Sequence, residues 1–391
     1  MVKHVRLGTK VERDIALESS EAFHNTTPLF PNLQSVAVLM DGCAAPAVHL
    51  LLSPMLATVI INTGVSTGRA AGVERSGNIA AYLSALRSSS IPIQTLNIRG
   101  FACEKLNQAV CGLSTLKSLS LKVGTSLSTA AVINIASFPF LENLFIHADR
   151  VDPDSLKESI ASSPSTVFPN LQTLDIRSSV EVAATIVEHV RSALFTRFSI
   201  EVTQKDDSSW AHLYSIIPIT TQAIHIDHHI DLENPMNDNS DTTNNHPFAT
   251  GNLGALANLT ALRVFTLETS APVNFMDKDV EELTKWWPFL EILDLDVSPY
   301  GECKEEITFW TPNLTVGCLC SIANCWPHLE RLGLPIDLAS ESKQAQDFPI
   351  HTRLKELKII PFLPAESYTP TVDANITFIS SIFPSVRDDF N

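Results

Sequence analysis

One apolar phrase, Leu-x-x-Leu-x-Leu, recurs along almost the whole of this 391-residue chain. Self-similarity of this kind is typical of a solenoid, in which each repeat is one supersecondary unit that packs only on its neighbours. The seven clearest copies begin at Ile93, Leu116, Leu141, Leu171, Leu290, Leu329 and Leu354, and they end at Ile98, Leu121, Ile146, Ile176, Leu295, Leu334 and Ile359.

Weaker strand-like phrases and amphipathic helical segments fill the intervals. The weaker phrases are Leu33–Val38, Leu56–Ile61, Phe195–Ile200, Ile224–Ile226 and Leu262–Leu267, and the helical segments are Asn78–Ser88, Asp154–Ala161, Val182–Leu194, Asp277–Trp287, Val316–Trp326 and Ile376–Phe383. Alternating strands and one-sided helices indicate parallel strands joined by right-handed crossovers. We therefore predict an α/β leucine-rich-repeat solenoid (horseshoe) of about twelve irregular repeats, with strands on the concave face and helices on the convex face.

An aromatic residue followed by proline stands just before four of the strand phrases. The pairs are Phe138-Pro139, Phe168-Pro169, Trp287-Pro288 and Trp326-Pro327. Proline cannot continue a helix, so it fixes the turn into the next strand. We expect the aromatic residue to fill the core between the helices and the sheet.

The predicted domain organisation is one long solenoid with a cap. Residues 1–28 are weakly patterned, and we expect them to be an N-terminal cap or remnant that covers the exposed end of the sheet. Residues 29–391 form the solenoid. Within it, residues 232–252 are rich in Asn and Asp, which predicts a polar surface loop insertion.

Charge and cysteine content limit which partners the protein can bind and in which cellular compartment we expect it. The chain carries 27 basic and 43 acidic residues, a formal net charge of −16, which disfavours nucleic acid and anionic membranes. This charge either favours basic partners or only keeps the protein soluble. Seven cysteines in no regular framework fit a reducing compartment. With no signal-like apolar stretch near the N-terminus and no spanning segment, we expect a cytoplasmic or nuclear protein.

Two groups of residues are candidate metal ligands. His225, Asp227 and His228 could bind zinc, which would make the chain a metal-dependent hydrolase. The alternative, which we favour, is a set of polar strand residues that continue into a loop. Cys318, Cys320 and Cys325, with Cys303 upstream, also suggest zinc, but free cysteines more often pack as small apolar side chains. We therefore predict no metal site and no cofactor.

Motifs of enzymes are missing from the sequence. The stretch from Gly64 to Gly68 lacks the Lys and Ser/Thr of a phosphate-binding loop, and there is no Gly-x-Ser-x-Gly. Asp294 and Asp296 share one face of a strand without an acid–base partner, which indicates an acidic patch. We predict that the protein is not an enzyme.

The outward-facing strand positions are the candidate partner-binding surface. Early strands lean basic or neutral and later strands lean acidic, a gradient that could orient a protein partner; chance among solvated positions would give the same pattern. The predicted binding residues of the concave face are Asn97, Arg99, Lys122, Phe145, His147, Asp175, Arg177, His225, Asp227, Glu268, Asp294 and Asp296.

Six stretches give the chain a resemblance to a known family. They are Phe30–Ser35, Leu113–Leu119, Asp279–Glu291, Thr308–Leu319, Cys325–Glu330 and Ile382–Val386. Over roughly residues 29–386 the sequence resembles the leucine-rich-repeat region of F-box proteins from mushroom-forming fungi.

The resemblance implies substrate recognition for ubiquitylation. In that family the F-box docks on the adaptor of a cullin ubiquitin ligase, and the repeats hold the protein substrate. The F-box itself is not found in this sequence. The resemblance therefore predicts a substrate-recognition part of a ligase receptor, and the alternative is a stand-alone repeat scaffold or inhibitor.

Overall fold

The protein consists of two compact units, residues 1–178 with 189–195 and residues 179–188 with 196–391. Each unit is a stack of parallel strands with helices on one side. The computed structural model describes residues 2–7, 30–39, 51–64, 69–101, 103–123, 127–162, 167–202, 210–228, 248, 250–270, 273, 275–297, 312–340, 350–361 and 370–386.

The first unit contains seven described strands that lie side by side in chain order. Each pairs in parallel with the next, and the apolar positions of successive repeats are register partners, as with Leu96 and Leu119. The strands are β1 His4–Leu7, β2 Ser35–Leu39, β3 Thr58–Asn62, β4 Thr95–Gly100, β5 Ser118–Val123, β6 Asn143–His147 and β7 Thr173–Arg177.

Helices connect these strands, and local sequence explains where two of them begin. The Ser128 hydroxyl accepts a hydrogen bond from the Ala131 N–H, and the Asp152 carboxylate accepts one from the Ser155 N–H at 2.8 Å. Both are N-caps that satisfy an otherwise unpaired amide of the first turn. The described helices of the first unit span Arg69–Ser88, Glu104–Cys111, Thr129–Ala136 and Pro153–Ala161.

The second unit repeats the same plan with six described strands, also parallel and in chain order. They are β8 Arg197–Val202, β9 Ala223–His228, β10 Val264–Thr269, β11 Ile292–Val297, β12 Arg331–Ile336 and β13 Glu356–Pro361. The helices span Val180–Glu188, Trp210–Ile216, Thr250–Leu253, Asp277–Trp286, Cys318–Cys325 and Pro370–Ile382, with a 3₁₀ turn at Gly254–Asn258.

The core of each unit lies between its strands and its helices. In most of the described strands every second residue is buried there, for example Leu96 and Ile98 of β4, which are both fully buried. The aromatic residues before the turn prolines are buried as well: Phe138, Phe168, Trp287 and Trp326. Trp287 lies 5.0 Å from Phe265 of β10, measured between ring centroids, which confirms that these aromatic residues fill the core.

The predicted α/β class and its parallel, one-sided repeats are confirmed. One strand was not predicted: β1 lies inside residues 1–28 and pairs with β2. The predicted N-terminal cap, residues 1–28, therefore contains a strand near its beginning. Its predicted boundary at residue 28 lies outside the described residues. Within the described part of the chain, no helix is long and apolar enough to cross a membrane.

The predicted helices Asn78–Ser88 and Ile376–Phe383 begin earlier in the structure, at Arg69 and Pro370. Two further predicted elements also differ. The predicted helix Val182–Leu194 ends at Glu188. Further on, the Ser192 hydroxyl accepts a hydrogen bond from the Leu194 N–H, which is the local bonding by which serine competes with a helix. In the predicted loop 232–252, Phe248 is fully buried and a helix begins at Thr250. Residues 232–247 lie outside the described residues.

Candidate functional site: the open strand faces

Each unit presents one strand face whose side chains alternate with the buried core positions. Strand β6 shows the pattern, because Leu144 and Ile146 are buried while Phe145 and His147 are partly exposed. Side chains on successive residues of a strand point to opposite faces. We call these surfaces the first open face (on β2–β7 of the first unit) and the second open face (on β8–β13 of the second unit).

All twelve predicted partner-binding residues lie at open-face positions. Seven belong to the first unit and five to the second. Only Asp294 is buried, and the other eleven are partly or fully exposed. Whether they bind a partner stays a prediction.

The first open face carries a row of basic side chains near the carboxyl ends of its strands. Arg99 of β4 is the register partner of Lys122 on β5, and His147 of β6 is the partner of Arg177 on β7. Continuing the β5–β6 register by one residue places His147 beside Lys122. The row therefore crosses four neighbouring strands.

Nearby carboxylates neutralise this basic row only in part. The Arg177 Nε lies 3.1 Å from an Asp149 carboxylate oxygen, a hydrogen-bonded ion pair. The Lys122 ammonium lies 3.8 Å from Asp175, which is beyond hydrogen-bond distance. Arg99 is exposed and has no ion-pair partner among the described residues.

The second open face carries the opposite charge at the corresponding end of its strands. Glu201 of β8 is the register partner of Asp227, Asp227 is the partner of Glu268, and Glu268 is the partner of Asp296. Four acidic residues therefore occupy neighbouring positions on four strands. The Lys358 ammonium contacts Asp296 at 2.6 Å, whereas the described part of the chain offers Glu268 no ion pair.

Asp294 lies beside the acidic row but, unlike the residues of that row, it is buried. Its carboxylate accepts a hydrogen bond from the Arg331 Nη2 at 2.9 Å, and the residue is only 9% exposed. Burial raises the pKa of the Asp294 carboxyl above its ordinary value, against the lowering effect of the Arg331 and Lys358 charges. Desolvation therefore outweighs the ion pair at this position.

The zinc hypothesis for His225, Asp227 and His228 is wrong. His225 and Asp227 share the open face, where His225 Nδ1 and the Thr266 hydroxyl are hydrogen-bonded at 2.5 Å. His228 points into the core, fully buried against the ring of Trp210. The three side chains cannot converge because strand residues an odd number apart face opposite sides. The hydrolase alternative therefore has no support in this region.

The cysteine set does not converge either. Cys318 is buried, Cys320 is partly exposed and Cys325 is exposed, so the helix points them in different directions. Cys303 lies outside the described residues. More broadly, the described residues contain no group of three or more His, Cys, Asp or Glu side chains that could hold a metal ion.

Two residues of the second open face were missed by the sequence analysis. Glu201 extends the acidic row to β8, and Arg331 forms the ion pair that holds Asp294. Both stand at outward positions next to an apolar strand phrase, so the alternation could have identified them. The pairing of Arg331 with Asp294, 37 residues away, required the register of the sheet.

Comparison with known proteins identifies no family for this chain. No protein-family model matches the chain, and no curated protein matches it. Among solved structures, the leucine-rich repeat-containing protein LegL7 from Legionella pneumophila matches with a TM-score of 0.39 and 14% identity, over 75% of this chain and 90% of that one. The complex of Rad7 and Elc1 in yeast matches with a TM-score of 0.37 and 12% identity, over 71% and 74% of the two chains. Scores this low do not bear on function.

Proposed function

We propose that the protein is a non-enzymatic repeat protein that binds a protein partner on its open strand faces. The observation that supports this most is the acidic row formed by Glu201, Asp227, Glu268 and Asp296 on neighbouring strands. Like charges placed directly opposite each other destabilise a sheet. Lys358 neutralises part of this charge at Asp296, and Glu268 has no ion pair among the described residues, so a basic partner segment would neutralise the row further.

Capture of partners from native cells tests this proposal. The tagged full chain is compared with Glu268→Lys/Asp296→Lys on the second open face. The matched control is Glu188→Lys/Glu281→Lys, which makes the same charge change at exposed helix positions of the same unit. We expect mass spectrometry to find a partner that the open-face variant loses and the control keeps. Equal recovery by all three proteins would contradict the proposal, as would a loss confined to the helix control.

The finer proposal is that the chain is the substrate-recognition part of an F-box-type ubiquitin-ligase receptor. Its support is the sequence resemblance, whose stretch Asp279–Glu291 contains most of one helix and the turn before β11. If this is correct, the cullin adaptor co-purifies with the protein from native cells. A partner recovered without the adaptor would favour the stand-alone scaffold or inhibitor instead.

A further inference from the structure

We propose that the first open face binds a short acidic segment of a protein partner in extended conformation. This inference rests on the proposed function, that the open strand faces bind protein, and it adds the chemistry of one ligand. The residues that carry it are Asn97, Arg99, Lys122, Phe145, His147 and Arg177.

Charge selects an acidic ligand for this face. Arg99 is exposed with no ion-pair partner among the described residues. Lys122 keeps 48% of its side chain exposed and is 3.8 Å from Asp175. These two cations are register neighbours, and like charges opposite each other cost stability unless an anion neutralises them. They stand out in a chain whose formal net charge is −16.

The spacing of the row suits an extended peptide that crosses the strands. Neighbouring strands lie roughly 4.8 Å apart, so the three steps from β4 to β7 cover about 14 Å. Side chains on one face of an extended peptide recur about every 6.6 Å, which places three of them within about 13 Å. A segment of about five residues, acidic at alternate positions, therefore matches the row from Arg99 to Arg177.

The neighbouring positions favour a peptide over a nucleic acid. Phe145 lies between Ser120 and Asp175 in the register, and its partly exposed ring can pack against an apolar side chain of the ligand. The half-buried Asn97 adds a hydrogen-bonding amide to the same row of the register, whereas Ser120 is buried. A long polyanion needs many phosphate contacts and would meet the acidic surface of the rest of the chain, whereas a short segment needs only the few cations present.

Selection from a peptide library tests this inference directly. The full chain is immobilised and used to select from random ten-residue peptides displayed on phage. The binding of enriched peptides, made synthetically, is then measured for the wild type, for Arg99→Glu/Lys122→Glu, for Glu268→Lys/Asp296→Lys and for a control. The control Lys105→Glu/Lys157→Glu makes the same charge change at exposed helix positions of the first unit.

We expect the enriched peptides to carry an excess of Asp and Glu at alternate positions. The dissociation constant should rise at least about tenfold in Arg99→Glu/Lys122→Glu, because the substitutions replace attraction between the face and the acidic ligand by repulsion between like charges. The control should stay within about twofold, the scale of an exposed charge.

Any of the following results would overturn the inference. One is enrichment without excess acid, or no enrichment, and another is equal weakening in Arg99→Glu/Lys122→Glu and in the control. Another is that binding of the enriched peptides depends on Glu268 and Asp296 rather than on Arg99 and Lys122. That result would leave the proposed function intact. If the enriched peptides bind both open-face variants as tightly as the wild type, the proposed function fails together with the inference.

Discussion

Asp294 and Gly333 are register partners on β11 and β12, and the Asp294 carboxylate occupies the space that a side chain at position 333 would need. A Cβ added at Gly333 would overlap the Asp294 Oδ1. The glycine therefore allows the carboxylate to lie flat against the next strand, where it meets Arg331 at 2.9 Å. This is how a buried carboxylate is accommodated on an otherwise exposed face.

Replacement of Gly333 by alanine should destabilise the second unit. Because the new methyl group displaces the carboxylate, we expect the free energy of unfolding to fall by about 1–3 kcal/mol, as for an overpacked site. Urea unfolding measures this. Gly251→Ala is the control, since nothing lies within 4 Å of its added Cβ. In an Asp294→Ala background the Gly333→Ala change should cost less, and equal costs in the two backgrounds would refute the steric account.

Asp294 should also make stability depend on pH in an unusual direction. Its folded pKa is raised above the ordinary 3.8, so the folded chain binds this proton more tightly than the unfolded chain does. The contribution of Asp294 to stability therefore falls as pH rises through 3.8 and the folded pKa. We expect the free energy of unfolding of the wild type, minus that of Asp294→Asn, to decrease between about pH 3.5 and about pH 7. A constant or rising difference would show that the Arg331 pair outweighs burial.

Phe248 should be a major contributor to the core of the second unit. Its ring lies 5.3 Å from Trp210 and 5.1 Å from His228, between centroids, and it is fully buried. We expect Phe248→Ala to lower the free energy of unfolding by about 3–5 kcal/mol. Phe289→Ala is the matched control because Phe289 is 53% exposed, and its cost should be about 1 kcal/mol or less. Similar costs for the two variants would contradict this packing.

The cysteines should differ strongly in reactivity towards a maleimide. Burial raises the pKa of the Cys318 thiol well above its ordinary value, and the thiolate is the reactive form. Cys325 is exposed and should be labelled within minutes in the native protein, while Cys318 should react only after unfolding. Peptide mapping by mass spectrometry measures both, and Cys325→Ser identifies its signal. Native labelling of Cys318 at a rate near that of Cys325 would place it at the surface.

The strand pattern could be predicted from sequence because leucine spacing reports burial directly. The phrases Leu119–Leu121 and Leu144–Ile146 show the same alternation, and their apolar residues are register partners in the sheet. Strand β1 was missed because residues 4–7 form too short an apolar signal, and the strand depends on pairing with β2. Long-range packing of this kind overrides local sequence preference.

The sequence predicted on which face the candidate site residues lie, but not which of them form ion pairs with one another. Strand alternation placed Arg99, Lys122 and Glu268 on the open faces. It also separates His225 from His228, because residues three apart on a strand face opposite sides, which is incompatible with one zinc site. The ion pairs of the second open face, such as Arg331 with Asp294, could not be inferred, because they depend on which strands are neighbours and in which register.

Carboxylate footprinting of the complex tests the central claim on the second open face, namely that a protein partner binds there. Glu268 lies on the second open face and Glu281 on a helix of the same unit, and both are exposed. The full chain is labelled with a carbodiimide and an amine, with and without a partner that Glu268→Lys/Asp296→Lys fails to capture. The account predicts that the partner suppresses labelling of Glu268 and leaves Glu281 unchanged. Protection of Glu281 with unchanged labelling of Glu268 would contradict it.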